Sequence, residues 1–300
     1  MRSQPMVVMT LMVLMGGSAA ALGGGVPADS GAGCAEWNTV GFFKQASVEQ
    51  VTACLEAGAD PKSRDEKGRI PLILAAAHTR HPGVIAALIQ AGADFRAVGR
   101  GGESPLHAAA GSNENPGVIT ALLDAGANPR ARAPGRHGQT PVETAAQFNT
   151  NPDVLNTLLQ AGGDPNSKGE FGETPLHLAA RFNPNPAIIA ALAKAGAKAN
   201  ARAAAILGGK TPLYSAIEMG AHPEIIRALV EAGADPNART SIFRVGKTPL
   251  TRAIKSNAHP EIIDTLIKAG GDPKKRDWTL VLNPVTLSIV VPAIIGYVVN

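Results

Sequence analysis

The side chains of this chain best suited to chemistry are seven histidines and two cysteines. Each familiar catalytic site needs such residues at set spacings. Zinc hydrolysis uses two histidines four apart around a glutamate, acyl transfer a Gly-x-Ser-x-Gly elbow, and phosphate binding a glycine loop ending in lysine. None of these patterns occurs. His81, His222 and His259 each precede a proline, His107 and His177 share one place in a recurring heptapeptide, and His78 and His137 stand alone. Two cysteines are too few for a disulfide scaffold or a multi-cysteine zinc site. Cys34 lies in a Gly/Ala-rich stretch, a poor setting for a nucleophile. The sequence therefore points to no catalytic residue, no metal site and no cofactor.

What recurs is the frame that would position side chains. The 300 residues are 45% hydrophobic but only 4% aromatic, with 33 Gly and 23 Pro, so small aliphatic residues and turns alternate throughout. Such a chain is searched first for repeats. Thr174-Pro175-Leu176-His177-Leu178-Ala179-Ala180 returns in variant form around Pro71, Pro105, Pro141, Pro212 and Pro249. An Ala-Gly pair returns at Gly58, Gly92, Gly126, Gly162, Gly196, Gly233 and Gly270. Thr174 can cap a helix whose first position, Pro175, needs no N–H partner. Asn185-Pro186 opens a second helix with Ile188, Ile189 and Leu192 at helical spacing, and Gly196 supplies its left-handed end. One such pair is too small to bury its own apolar face, so neighbours must stack.

These motifs resemble the ankyrin repeat, a β-turn plus two helices with a Thr-Pro-Leu-His signature. The resemblance covers residues 37–277 and implies an all-α solenoid of stacked helix pairs with projecting finger loops, about seven repeats long. The helical half is constant, 23 positions from each first-helix proline to the residue after the Ala-Gly-Ala/Gly end. The return connection is 11 positions in three cases, 13 before Pro141, and 14 before Pro212 and Pro249. Packing fixes the helices, and the fingers absorb the insertions. The first unit lacks the proline signature, and Phe42 and Phe43 are expected to cap that end. Cys34 and Cys54 flank this cap. A disulfide between them would close a loop of about 20 residues and add ~3 kcal/mol, the alternative being a free, buried Cys54.

In ankyrin proteins the fingers and the concave face bind partners, and here the fingers carry the charge. Eighteen of the 28 Lys and Arg lie on the connections and make them about +12, which leaves the remainder near −8 within a net +4. Such asymmetry steers acidic partners. Arginine beside aromatics is the usual composition of a binding hot spot. The candidate partner-binding residues are Arg132, Arg136, Phe148, Phe171, Arg181, Phe182, Tyr214, Arg239, Phe243 and Arg244. Phe148 and Phe182 are placed just past a first helix, and Tyr214 at the signature histidine position. The function this implies is a non-catalytic scaffold for another protein with an acidic surface. The alternative is electrostatic binding of an anionic polymer or a membrane surface.

The ends read differently. Residues 1–21 combine Arg2, an apolar run and Ala19-Ala20-Ala21, the pattern of a secretory signal peptide. Residues 22–36 read as a flexible spacer, and the uncharged residues 278–300 as a terminal cap or a membrane segment, for which 278–299 are long enough. An exported, periplasmic or extracellular location is expected, and it makes nucleic acid an unlikely partner.

Overall fold

The computed structural model describes residues 33–135, 138–240 and 247–272. The stretches expected to be a signal peptide and most of the spacer, the apolar tail, Arg136, Phe243 and Arg244 lie outside them. The described residues form fourteen α-helices, two short 3-10 turns and no strand. They fall into seven consecutive pairs: α1 (Val40–Gln45) with α2 (Val48–Glu56), α3 (Pro71–His78) with α4 (Pro82–Gln90), α5 (Pro105–Ser112) with α6 (Pro116–Asp124), and α7 (Pro141–Phe148) with α8 (Pro152–Gln160). The series continues with α9 (Pro175–Phe182) and α10 (Pro186–Lys194), α11 (Pro212–Glu218) and α12 (Pro223–Glu231), then α13 (Pro249–Lys255) and α14 (Pro260–Lys268). These pairs are repeats 1 to 7. First helices pack on first helices and second on second, giving two parallel rows. The core runs unbroken between them from Phe43 to Leu266.

Local chemistry sets the boundaries. Proline occupies the first turn of twelve helices, all but α1 and α2. Every second helix ends before a glycine of positive φ, from +95° at Gly58 to +85° at Gly270. The alanine pairs of α3, α5, α7 and α9 are buried, Ala145 and Ala146 completely, which lets the rows approach closely. At the start of the stack Trp37, Phe42 and Phe43 meet edge to face with centroids 5.1–5.6 Å apart. Trp37 Nε1 donates to the Asp60 carbonyl at 3.1 Å, and a disulfide joins Cys34 to Cys54 in α2.

The repeats are held in register by side-chain amides. Asn113, Asn149 and Asn183 follow three successive first helices, and all three are buried. Asn149 Nδ2 donates to the Ala110 and Asn113 carbonyls of the preceding repeat at 3.0 and 2.8 Å, and its Oδ1 accepts from Asn151 N at 2.9 Å. Asn113 and Asn183 do the same one repeat earlier and later. Carbonyls at a helix C-terminus have no partner within the helix, and these asparagines supply one. In repeats 6 and 7 the first helix ends instead at Gly220 (φ 71°) and Asn257 (φ 51°), and the cap closes locally through Ala221 N to Ala216 O and Ala258 N to Ala253 O, both 3.0 Å. A second amide series takes over there. Asn166, Asn200 and Asn237 donate to the Gly196, Gly233 and Gly270 carbonyls of the next repeat at 2.8–3.0 Å.

The signature position, third in each first helix, also bridges repeats. His177 accepts from Thr174 N at Nδ1 (3.1 Å), and its Nε2 lies 3.0 Å from the Lys210 carbonyl of the next finger. His107 reaches Gln139 O in the same way. Burial pushes the pKa of His177 down. Its contribution to stability is therefore complete above the ordinary histidine range and is lost as pH falls through the folded value. Glu143 takes this place in repeat 4, fully buried, accepting from the Ser167 hydroxyl at 2.6 Å and the Thr140 amide at 3.4 Å. Burial outweighs these bonds and holds its carboxyl above the usual range. That contribution is complete below the ordinary carboxylate pKa and is lost as pH rises through the folded value.

Two predictions follow from this frame. Asn149→Ala strands two buried carbonyls and should cost about 2–3 kcal/mol by urea denaturation; a loss within error would deny the amide series its role. Glu143→Gln should gain stability relative to the parent chain as pH rises from 4 to 8. Parallel pH profiles would mean that the buried carboxyl carries no penalty.

Candidate partner-binding face

Between each second helix and the next first helix the chain runs out as a finger, and the fingers lie beside the first-helix row. Finger residues Phe171 and Leu207 and first-helix residues Gln147, Leu178, Arg181 and Phe182 together line a groove of about 320 Å³. This inner groove is the side of the solenoid with fingers for one wall and first helices for the other. The fingers brace one another. Ala204 N donates to Phe171 O at 2.9 Å across two of them. Gly135 approaches the preceding finger so closely that a Cβ there would lie 2.1 Å from Gly101 O.

Phe148, Phe171 and Phe182 face solvent in this region, 51%, 40% and 45% exposed. Phe148 and Phe182 are the last residues of α7 and α9 rather than residues beyond them. Arg181 lies over the Phe182 ring, 4.7 Å from its centroid, and pairs with Glu173. The aromatic, the guanidinium and the carboxylate thus form one fixed cluster at the groove rim. Arg132 is exposed on the third finger, where its Nη1 donates to Gly138 O at 2.7 Å. Arg239 is half-buried, and its carbonyl accepts from Arg202 Nη1 at 2.5 Å.

Tyr214 is a correction. It is 5% exposed and holds the third position of α11, with its amide donating to Thr211 Oγ1 at 3.3 Å. Side chains at that position point into the stack, as His177 and Glu143 do, so Tyr214 cannot present itself to a partner. Burial raises its pKa. The basic residues also differ from a set of solvated point charges. Arg64, Arg100, Arg130, Arg132 and Arg202 each donate to a backbone carbonyl in their own or a neighbouring repeat. Arg69 pairs with Asp65 at 2.7 Å and Lys210 with Glu218 at 2.5 Å. Carbonyl-bound arginines keep their charge, so the field of the fingers survives while their side chains stiffen the loops.

Three exposed apolar residues, Val98, Ile206 and Met219, are absent from the candidate set. Met219, 52% exposed, follows α11 with helical backbone angles, φ −85° and ψ −2°. It lies seven positions after Pro212, as Phe148 does after Pro141 and Phe182 after Pro175. That shared spacing was the available signal. Three large apolar side chains therefore occupy one register position in repeats 4, 5 and 6. In repeats 2, 3 and 7 the position holds His78, Ser112 and Ser256.

Among the described residues no group of three or more His, Cys, Asp or Glu is placed to hold a metal ion. None of the described helices is long and apolar enough to cross a membrane.

Family comparison agrees with the architecture. A model described as ankyrin repeats (3 copies) matches residues 43–133 and 142–240, and a single ankyrin-repeat model matches residues 245–278. No curated protein matches significantly. The matched residues span well over half of the 300. With its stacked helix pairs and bracing fingers, this chain belongs to the ankyrin-repeat family, whose repeats are protein–protein interaction modules and generally non-catalytic.

Proposed function

We propose that the chain is an exported, non-catalytic scaffold that binds another protein along its inner groove, with the basic fingers steering an acidic partner surface. One observation carries this reading. Of the six large apolar side chains exposed among the described residues, five (Phe148, Phe171, Phe182, Ile206 and Met219) belong to repeats 4–6 and their fingers. Scattered apolar residues need no explanation, but a cluster beside arginine does. The field of the fingers supports fast, salt-sensitive encounter, and the apolar cluster supports lasting contact. The Cys34–Cys54 disulfide supports an oxidising location outside the cytoplasm, as does the leader at 1–21. Arg136, Phe243 and Arg244 remain candidates on sequence grounds. Residues 278–300 are proposed as a terminal cap or a membrane attachment.

The anionic-polymer reading rests on the charge of the fingers alone, and salt separates it from the first. A polymer ligand would lose affinity steeply with salt, and each finger Lys or Arg would contribute about equally. Affinity capture from exported fractions, at low and high salt, should instead recover a protein still held at high salt. Phe171→Ala with Phe182→Ala should weaken its binding at least ~10-fold. Binding unchanged by that pair and abolished by salt would contradict the proposal. Fractionation of the full-length chain should find it outside the cytoplasm; a cytoplasmic pool alone would overturn the export reading.

A further inference from the structure

Away from the fingers, the turns between the paired helices of repeats 1–3 border a second concavity, of about 980 Å³. Lys44 and Gln45 at the end of α1, residues 77–81 at the end of α3 and residues 112–116 at the end of α5 line it. α3 and α5 are each eight residues long, which puts the concavity about 12 Å from the fingers at their other ends. It shares no residue with the groove at Phe171 and Phe182. Pockets for small ligands are mostly apolar, whereas only Ala77 and Pro116 among these twelve residues are apolar. The space would hold roughly thirty waters at about 30 Å³ each, so a single inorganic anion would leave most of it wet.

The lining divides into side chains that hold the frame and side chains left over. Asn113 Nδ2 donates to the Ala76 and Thr79 carbonyls, and Asn115 Nδ2 to the Arg80 carbonyl, all at 2.9 Å. Thr79 Oγ1 accepts from His81 N at 3.1 Å. The turn carrying His78, Arg80 and His81 is thereby fixed from the next repeat as well as its own. By contrast, the side chains of Lys44, Gln45, His78, Arg80, His81 and Ser112 make no hydrogen bond or ion pair with any described residue. All six can donate a hydrogen bond. Arg69, Arg181, Lys210, Arg227 and Lys268, elsewhere in the stack, each have a carboxylate partner. Glu114 is the one acid in the lining, against Lys44 and Arg80. The lining is therefore +1 with both imidazoles neutral and +3 with both protonated. Burial first, then Lys44 and Arg69, push the pKa of His78 down. Arg69 is already paired with Asp65, and the charge of His81 is felt by Glu49 outside the lining.

We propose that this concavity is a second contact site, which takes an acidic peptide segment of a partner protein and pairs its carboxylates with Lys44, Arg80, His78 and His81. Charge complementarity names the occupant: a rigid polar frame presents donors from three repeats with one carboxylate among them. The site is separate from the inner groove and stands whether or not the groove binds. A bound carboxylate favours the protonated imidazoles, so binding takes up protons and strengthens as pH falls through the histidine range. Aspartate, with an ordinary pKa of about 3.9, stays charged throughout.

The test is fluorescence anisotropy of the full-length protein with labelled hexa-aspartate. Salt is held at about 0.15 M, where exposed charges more than about 8 Å apart are largely screened. Hexa-aspartate should bind saturably and hexa-asparagine should not. Lys44→Gln with Arg80→Gln should weaken binding about 10-fold, as two partly exposed ion pairs would. Lys62→Gln with Lys67→Gln removes the same charge from exposed finger positions and should change affinity less than about 2-fold. All four side chains are exposed, and unchanged circular dichroism shows that the variants fold. Lowering the pH from about 7.5 to about 5.5 should strengthen binding, and His78→Gln with His81→Gln should remove that gain. Equal weakening by the two lysine-containing double variants would assign binding to the field of the whole chain and overturn the proposal. So would a pH gain that survives the histidine changes, or no saturable binding at millimolar peptide. Inorganic phosphate competing mole for mole would make this a small-anion site and overturn the peptide assignment. Phe171→Ala with Phe182→Ala should leave hexa-aspartate binding unchanged, so failure of this site and failure of the groove reading are told apart.

Discussion

A buried carbonyl at the end of a helix must find a donor, and in this chain the donor often belongs to the next repeat. Asn113, Asn149 and Asn183 meet that demand between repeats 2 and 5, while Asn166, Asn200 and Asn237 add exposed bonds to glycine carbonyls of the following repeat between repeats 4 and 7. The two series overlap in the middle of the stack. Apolar contacts between alanine-rich helices are non-directional and would tolerate sliding. Hydrogen bonds with one acceptable geometry do not. A repeat that slipped relative to its neighbour would leave several buried polar groups unpaired at once.

Fixed register is what turns a repeated sequence into a repeating surface. The seventh position after each first-helix proline closes the helix or directly follows it, and its identity varies from repeat to repeat. His78, Ser112, Phe148, Phe182, Met219 and Ser256 occupy that position in turn. The fingers are held by other means, through arginines that donate to carbonyls and through the close approach of Gly135 to Gly101. Both walls of the groove are therefore rigid before any partner arrives, which lowers the entropy lost on binding.

Much of this could be read from residue order. Proline at helix starts, Ala-Gly at helix ends and a constant helical half specify the helix pairs, because each of those residues has a local conformational consequence. What local rules could not supply was the direction of a side chain across repeats. Asn149 in Asn-Thr-Asn-Pro looks like an ordinary helix-capping stretch, yet its amide bridges two repeats. Tyr214 looked like a contact residue because it is aromatic, but the third position of a first helix turns inward and buries it. Met219 was passed over for the opposite reason: it is not aromatic, and only its spacing from Pro212 places it with Phe148 and Phe182. The charge of the fingers was countable. The use of arginine heads to tie loops together was not, since the carbonyls they reach lie up to 37 residues away.

Family membership makes this a binding module, and the inner groove over repeats 4–6 is where rigid apolar side chains, arginine and accessible space coincide. Met219 offers a direct probe, because the other five of the six methionines all lie within residues 1–15. With methyl-labelled methionine, the Met219 resonance is identified by its loss in Met219→Ala, and the protein recovered by affinity capture can be titrated against it. The account predicts that the Met219 methyl shifts or broadens as the complex forms. A saturated complex that leaves the Met219 signal unchanged would contradict it and place the partner elsewhere on the solenoid.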